Sequence, residues 1–228
     1  MSSQIYISDF SDITLRYEIP EHLNGIADTE GQRKADLELL DTELRENGSS
    51  LEEKISSNII WRMKFPGMIL DVKRISLDSS VKLTLKPIHP YRADLAYKND
   101  RTLPRNVSPL TVNALLENAE GNFVLGIRGG AVETGKIAII PGGHVDYTIP
   151  KIENALETFR NEFKEELGYE FDGGNISLLG VLPNRDTRGI NILYVAKTGF
   201  HFSKILESWG AAKDRGEHDS LVQAYYPE

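Results

Sequence analysis

The segment from Gly142 to Tyr169, GGHVDYTIPKIENALETFRNEFKEELGY, constrains this 228-residue chain more than any other. Its second part reads as a helix over about 152–167, stopped by Gly168 as a left-handed cap. Successive helical residues rotate by about 100°, so Glu162, Glu165 and Glu166, at i, i+3 and i+4, share one face. Ile152, Leu156, Phe159, Phe163 and Leu167 fall on a neighbouring face, which is expected to pack against a sheet. The carboxylates then sit on a rigid element at the edge of the core. Like charges one turn apart repel by roughly a few tenths of a kcal/mol per pair in water, and by more where they are desolvated. A hard divalent cation relieves that repulsion, and Mg²⁺ and Mn²⁺ prefer oxygen ligands and keep several waters. A solvated acidic face with Lys164 mixed in is the plainer alternative. The flanks argue against it: a strand ends in Gly142-Gly143, Glu153 opens the helix, and a glycine follows directly after Glu-Glu-Leu.

Composition narrows the remaining classes. Thirty-four acids against 26 bases give a formal charge of −8, so nucleic acid is not expected as the main partner. Apolar residues make up 40% and charged residues 26%, an ordinary globular balance. No stretch approaches the roughly 18 unbroken apolar residues of a membrane span, and no membrane partner is expected. The start, MSSQIYISDF, has neither a basic nor an apolar run, so no secretory signal is expected and the cytoplasm is the expected compartment. Cysteine is absent, which removes disulfides, thiolate metal sites and cysteine nucleophiles. Any metal must be held by oxygen or by the five histidines.

Along the chain, residues 4–8 and 13–18 alternate like short strands. Residues 29–46 read as a surface helix with an apolar stripe of Ala35, Leu39, Leu40 and Leu44, broken by Asn47-Gly48. Ser50 and Glu53 form a capping-box pattern for a short helix over 51–57. Residues 68–76 and 81–88 again read as strands. The polar stretch 91–109, with Pro104 and Pro109, suggests a boundary near residue 105, dividing an amino-terminal α+β region, 1–104, from a second unit, 105–228. In the second unit, Leu110–Leu116 and Phe123–Ile127 read as strands joined by a turn containing Gly121. Ile137–Ile140 reads as a buried strand, and further strands are expected near 175–182, 190–197 and 221–226, with a short helix near 202–209. Strands with intervening helices give an α/β or α+β sandwich.

The segment around the three glutamates resembles the Nudix hydrolase family. That family's box runs glycine, five residues, glutamate, seven residues, Arg-Glu, an aliphatic residue, any residue, Glu-Glu, any residue, glycine, then an aliphatic residue. Here the second half reads Asn161-Glu162-Phe163-Lys164-Glu165-Glu166-Leu167-Gly168-Tyr169, and Glu153 lies eight residues before Asn161, at the family's spacing. Two features depart from the pattern. The loop after Gly143 is four residues longer, and Asn161 replaces the usual arginine, with Arg160 next to it. In addition, the family commonly places a helix after its last strand, and this chain ends at Glu228.

The resemblance implies an α/β/α sandwich with a mixed sheet over about 105–228. It implies hydrolysis of a nucleoside diphosphate derivative with Mg²⁺ or Mn²⁺ as cofactor. By the same match, Glu162, Glu165, Glu166 and the Gly142 carbonyl are metal ligands and Glu153 is an orienting residue. The general base is either a box glutamate or a late-loop carboxylate, for which Glu217 is the candidate. Arg128, in the loop after a strand, is the candidate for phosphate or base contact, and Gly143 and His144 are candidate substrate contacts. Arg185 and Arg188 flank a late turn that could reach a phosphate. Pro183, fifteen residues after Gly168, resembles a feature of ADP-ribose pyrophosphatases, so ADP-ribose or a nucleotide sugar is the favoured substrate. The competing expectation is a catalytically weak or inactive nucleotide-sensing module, with Asn161 as its sign. Residues 1–104 lie outside the resemblance and are expected to serve as a scaffold, a substrate-specificity element or a dimerisation element, so a homodimer is one expected partner.

Overall fold

A computed structural model describes residues 3–10, 13–19, 29–54, 68–77, 81–97, 107–129, 134–148, 151–152, 155–171, 175–183 and 189–225. In chain order its elements are β1 (Ser3–Phe10), β2 (Ile13–Ile19), α1 (Glu30–Glu46), α2 (Leu51–Lys54), β3 (Met68–Leu77), β4 (Val81–Ile88), α3 (Pro90–Tyr97), β5 (Leu110–Glu117) and β6 (Phe123–Arg128). There follow β7 (Ile137–Ile139), β8 (Gly142–His144), β9 (Asp146–Thr148), β10 (Lys151–Ile152), α4 (Ala155–Leu167), β11 (Ile176–Pro183), β12 (Ile190–Lys197), α5 (Phe202–Trp209), a 3₁₀ turn at Arg215–Glu217, and β13 (His218–Ala224).

These strands form two mixed sheets. One runs β1-β2-β4-β3-β9-β10 and the other β11-β12-β5-β6-β13, with β7 joined to β6 and β8 to β5. The β5–β12 pair is parallel, as is β2–β4, and the remaining pairs are antiparallel. Strand β5 shows why a sheet forms here. Leu110, Val112, Ala114 and Leu116 alternate inward and are fully buried, and the intervening residues face the other way. Ile190, Ile192, Tyr194 and Ala196 of β12 stand opposite them in register and extend the same apolar rows. The fold is therefore α/β, as the sequence implies.

The first sheet reaches from the amino-terminal region into the loop of the box. Met68 pairs with Tyr147 and Ile69 with Asp146, and the Leu70 N–H donates to the Val145 carbonyl at 3.0 Å. Met68, Leu70, Val72, Leu83 and Leu85 share one apolar core with β5, β12, α4 and α5. Between them the buried Asp71 carboxylate accepts the Ser108 N–H at 2.5 Å and pairs with Lys73.

Several expectations are corrected. Helix α1 is present, with a capping box between Thr29 and Gln32, but its apolar stripe is rotated. Leu40 and Leu44 are buried and Leu37 packs beside them, while Ala35 is exposed and Leu39 is 54% exposed. The reason is tertiary: Leu40 and Leu44 meet Tyr91 of α3, a helix opened by Pro90 in a stretch read from sequence as polar connection. Helix α4 starts at Ala155 because Lys151 and Ile152 pair with Thr148 and Tyr147 as a hairpin. Strand β7 is not buried. It is hydrogen-bonded to β6, with Ile137 68% exposed, and only the next residue, Ile140, is enclosed. The last strand begins at His218, earlier than expected, because its pairing with β6 starts at Arg128. The short helix at 51–57 is described over Leu51–Lys54, with the Ser50–Glu53 cap in place.

Candidate active site

Helix α4 is fixed against the second sheet by its aromatic face. Phe159, Phe163 and Leu167 are buried, and Phe159 and Phe163 meet Phe171 edge-on at 5.1 Å between ring centroids. Tyr194 and Tyr169 close the cluster. Gly168 ends the helix at φ +80°, and a Cβ there would strike the Ser208 backbone. The helix can neither roll nor extend, so the direction of its acidic face is set by its apolar one.

The three glutamates of that face lie in different surroundings. Glu166 is only 5% exposed. Its Oε1 accepts the Gly142 N–H at 3.5 Å, and its Oε2 has no partner among the described residues. Glu162 is half-buried and lies directly over Gly143, where any Cβ would overlap its carboxyl group. Glu165 is at the rim, 40% exposed, with Lys213 Nζ 2.7 Å from its Oε1. Glu217 comes to the same place from the 3₁₀ turn, and its carboxylate pairs with Arg128 at 3.3 Å.

Crowding shows in the proton affinities. Burial, then the charges of Glu165, Glu217, Asp146 and Asp214, push Glu162 from the ordinary 4.5 up to about 8. Burial, then Glu162 and Glu217, raise Glu166 well above its ordinary value, against the opposing pull of the Gly142 N–H and Arg128. Asp214 is raised by burial and by Glu165, against the opposing charge of Lys213. His218, buried next to Glu217, is held down to about 4 by burial and by Arg128. Buried like charges of this kind favour the neutral forms unless a cation enters.

The structure thus brings together Gly142, Gly143, Glu162, Glu166, Glu217 and Arg128. His144 sits on the opposite side of β8, in register with Thr111, because alternation along the strand turns Gly143 toward the helix and its neighbours away. Glu153, Arg185 and Arg188 lie outside the described residues. Asp146, Lys213 and Asp214 also act on the cluster, though no sequence motif points to them. Asp146 lies inside the lengthened loop, and Lys213-Asp214 precede Glu217 by three to four residues, so only the topology brings them near the box.

As arranged, no three His, Asp or Glu side chains among the described residues stand close enough together to hold a metal ion. The chemistry of the set nevertheless fits a hard divalent cation. Its donors are all oxygens, one buried carboxylate oxygen is unpartnered among the described residues, and the proton affinities of Glu162 and Glu166 are raised. Glu165 is the ligand candidate held elsewhere, by Lys213.

No family model and no curated protein matches the chain. Solved structures do. Protein DR0079 from Deinococcus radiodurans is 19% identical, covering 68% of this chain and 81% of that one, with a TM-score of 0.42. A MutT protein from Methanosarcina mazei is 26% identical over 50% of this chain and 75% of its own, with a TM-score of 0.37. The NUDIX domain of Shewanella oneidensis NrtR, solved with ADP ribose, is 19% identical over 48% of this chain and 71% of its own, with a TM-score of 0.35. Those solved structures include MutT/Nudix proteins, the family that the box residues of this chain resemble.

Proposed function

We propose that the chain is a divalent-metal-dependent pyrophosphohydrolase acting on a nucleoside diphosphate derivative, with ADP-ribose or a nucleotide sugar favoured. One observation carries this reading: the Glu166 carboxylate is buried with an oxygen unpartnered among the described residues, in a crowd of carboxylates that raises both its own proton affinity and that of Glu162. Such a cluster is costly unless a cation compensates it. Glu162, Glu165, Glu166 and the Gly142 carbonyl would hold Mg²⁺ or Mn²⁺, with Glu165 leaving Lys213 to join them. When bound, such an ion offsets the charge of the diphosphate and lowers the pKa of a coordinated water.

The chain's own groups do the rest. Arg128, whose charge acts on the buried Glu166, attracts the phosphates. Glu217, exposed and held by Arg128, takes the proton from water. Glu153 orients the box, and Gly143, which has no side chain, leaves Glu162 its place. Residues 1–104 act as a scaffold, specificity or dimerisation element beside the domain at 105–228.

A second reading is favoured by Asn161, which stands where the resemblance expects an arginine, with Arg160 exposed on the helix beside it. In that reading the chain senses a nucleotide without cleaving it. A panel of ADP-ribose, nucleotide sugars and dinucleotides, with and without Mg²⁺, tests both. Metal-dependent release of nucleoside monophosphate supports the enzyme. A rise in Tm with one ligand and no turnover of any supports the sensor.

A further inference from the structure

We propose that His218 is the positioning residue that aims Glu217 and Arg128 at the carboxylate cluster. This inference rests on the reading of the site given above.

The ladder between β6 and β13 holds one extra residue. Gly126 pairs with Leu221 and Ile127 with Ser220, but Arg128 pairs with His218, so Asp219 is left as a bulge. With unbroken pairing Asp219 would stand opposite Arg128, and His218 would turn to the other face of the sheet. The bulge turns His218 inward beside Arg128, on the side of β6 that carries Val124 and Gly126 into the core.

Two glycines hold the bulge in place. The His218 ring lies over Gly126 so closely that a Cβ there would meet Cδ2, with Nε2 at 2.7 Å and Cγ at 3.0 Å. Gly129 likewise leaves room for the Asp219 carboxylate and donates its N–H to the Glu217 carbonyl at 2.9 Å. Glu217 is therefore clamped between a backbone bond on one side and a buried ring on the other. The ring is 5% exposed, and its Nε2 has no hydrogen-bond partner among the described residues. What the fold uses is the flat shape of the ring, so another flat ring should serve.

The test is a set of full-length variants, His218→Ala, His218→Phe and Gly126→Ala, read by crystallography and steady-state kinetics. In His218→Ala and Gly126→Ala the Arg128–Glu217 contact opens. In both, kcat falls at least about tenfold, as expected when a reacting group is misplaced, and KM rises as Arg128 loses its aim on the phosphates. His218→Phe restores the contact and brings kcat to within about threefold of the parent. A folded His218→Ala that keeps both the contact and kcat overturns the proposal. If that variant does not fold, Gly126→Ala decides in the same way. If the parent hydrolyses no diphosphate, the functional reading fails, while the Arg128–Glu217 distance in the variants still decides the positioning role.

Discussion

Glu162 lies against Gly143 so tightly that a Cβ at 143 would overlap its carboxyl group and stand 2.9 Å from its Cγ. Gly143 of the diglycine thus leaves the space that the first of the three box glutamates occupies. Gly143→Ala must push Glu162 off its present course. The expected loss in kcat/KM is on the order of 100-fold, the usual consequence of a displacement near 1 Å at a reacting centre. A change in Tm accompanies it, and retention of activity to within threefold would contradict the site.

Glu166→Gln separates function from stability by sign. The amide keeps the size of the side chain and the bond from Gly142, but removes a buried charge site from a crowded set. In the absence of divalent cations at pH 8 the variant should melt higher than the parent, because the raised proton affinity of Glu166 comes from burial first and from Glu162 and Glu217 next. Its turnover should fall by at least about 100-fold, because electrostatic contributions of this kind are worth several kcal/mol. Calorimetry and an assay of nucleoside monophosphate release on the same preparation read both effects. Loss of stability together with activity would point to a merely structural carboxylate.

The pH dependence of stability follows from Glu162. Its proton affinity is raised on folding, from 4.5 to about 8. The folded state therefore holds a proton that the unfolded state releases. This contribution is complete below about pH 4.5, and it is lost as the pH rises toward 8. Metal-free protein should lose at least roughly 3 °C in Tm between pH 5.5 and 8, the size of a change near 1 kcal/mol for a chain of this length. Mn²⁺ should reverse the loss, and more strongly at pH 8 than at 5.5, because binding must expel the same protons. A flat metal-free profile would show that Glu162 is not crowded in solution.

Much of this was legible in the sequence, and the limits have physical causes. The apolar run Leu110–Leu116 reads as a strand in the sequence, and it forms β5 because one face of it is fully enclosed. The three-to-four spacing of Glu162, Glu165 and Glu166 gave a shared face, since helical geometry is local. What local geometry could not give was their separate fates, with Glu166 enclosed under Gly142 and Glu165 turned out to Lys213. Those depend on a strand 24 residues before Glu166 and on a loop 48 residues after Glu165. The misjudged α1 stripe and the missed α3 share one cause, for Leu40 and Leu44 face inward only because Tyr91 stands there. The bulge at Asp219 has no local signature either. It exists as a mismatch between two strands about ninety residues apart.

The link between α1 and α3 tests whether the amino-terminal region matters to stability or to chemistry. Arg92 donates to Asp36 at 2.9 Å and to Glu43 at 3.0 Å, and the Tyr91 hydroxyl donates to Asp36 at 2.6 Å. Asp36, despite its burial, is held below its usual range by these donors. Arg92→Ala leaves that carboxylate half-enclosed with one donor, which should cost about 1.5–3 kcal/mol. A scaffold role predicts lower Tm with kcat/KM unchanged at temperatures well below melting. A change in substrate preference across the panel would instead make the region a specificity element.

Lys213 and Glu165 offer the most direct probe of the metal reading. Their contact at 2.7 Å lies at the surface, with both side chains well exposed, so the pair is worth at most about 1 kcal/mol. Yet it holds a proposed ligand away from the others, and Lys213 places a positive charge where a divalent cation would have to compete. Lys213→Met keeps the stem and removes the charge. Manganese should then bind up to about fivefold more tightly, the equivalent of that energy, in a titration followed by electron paramagnetic resonance without substrate. Glu165→Gln should weaken binding in the same titration, and the double variant should resemble Glu165→Gln alone. If Lys213→Met weakens manganese binding, Lys213 steadies the site rather than occupying it, and Glu165 is not a ligand.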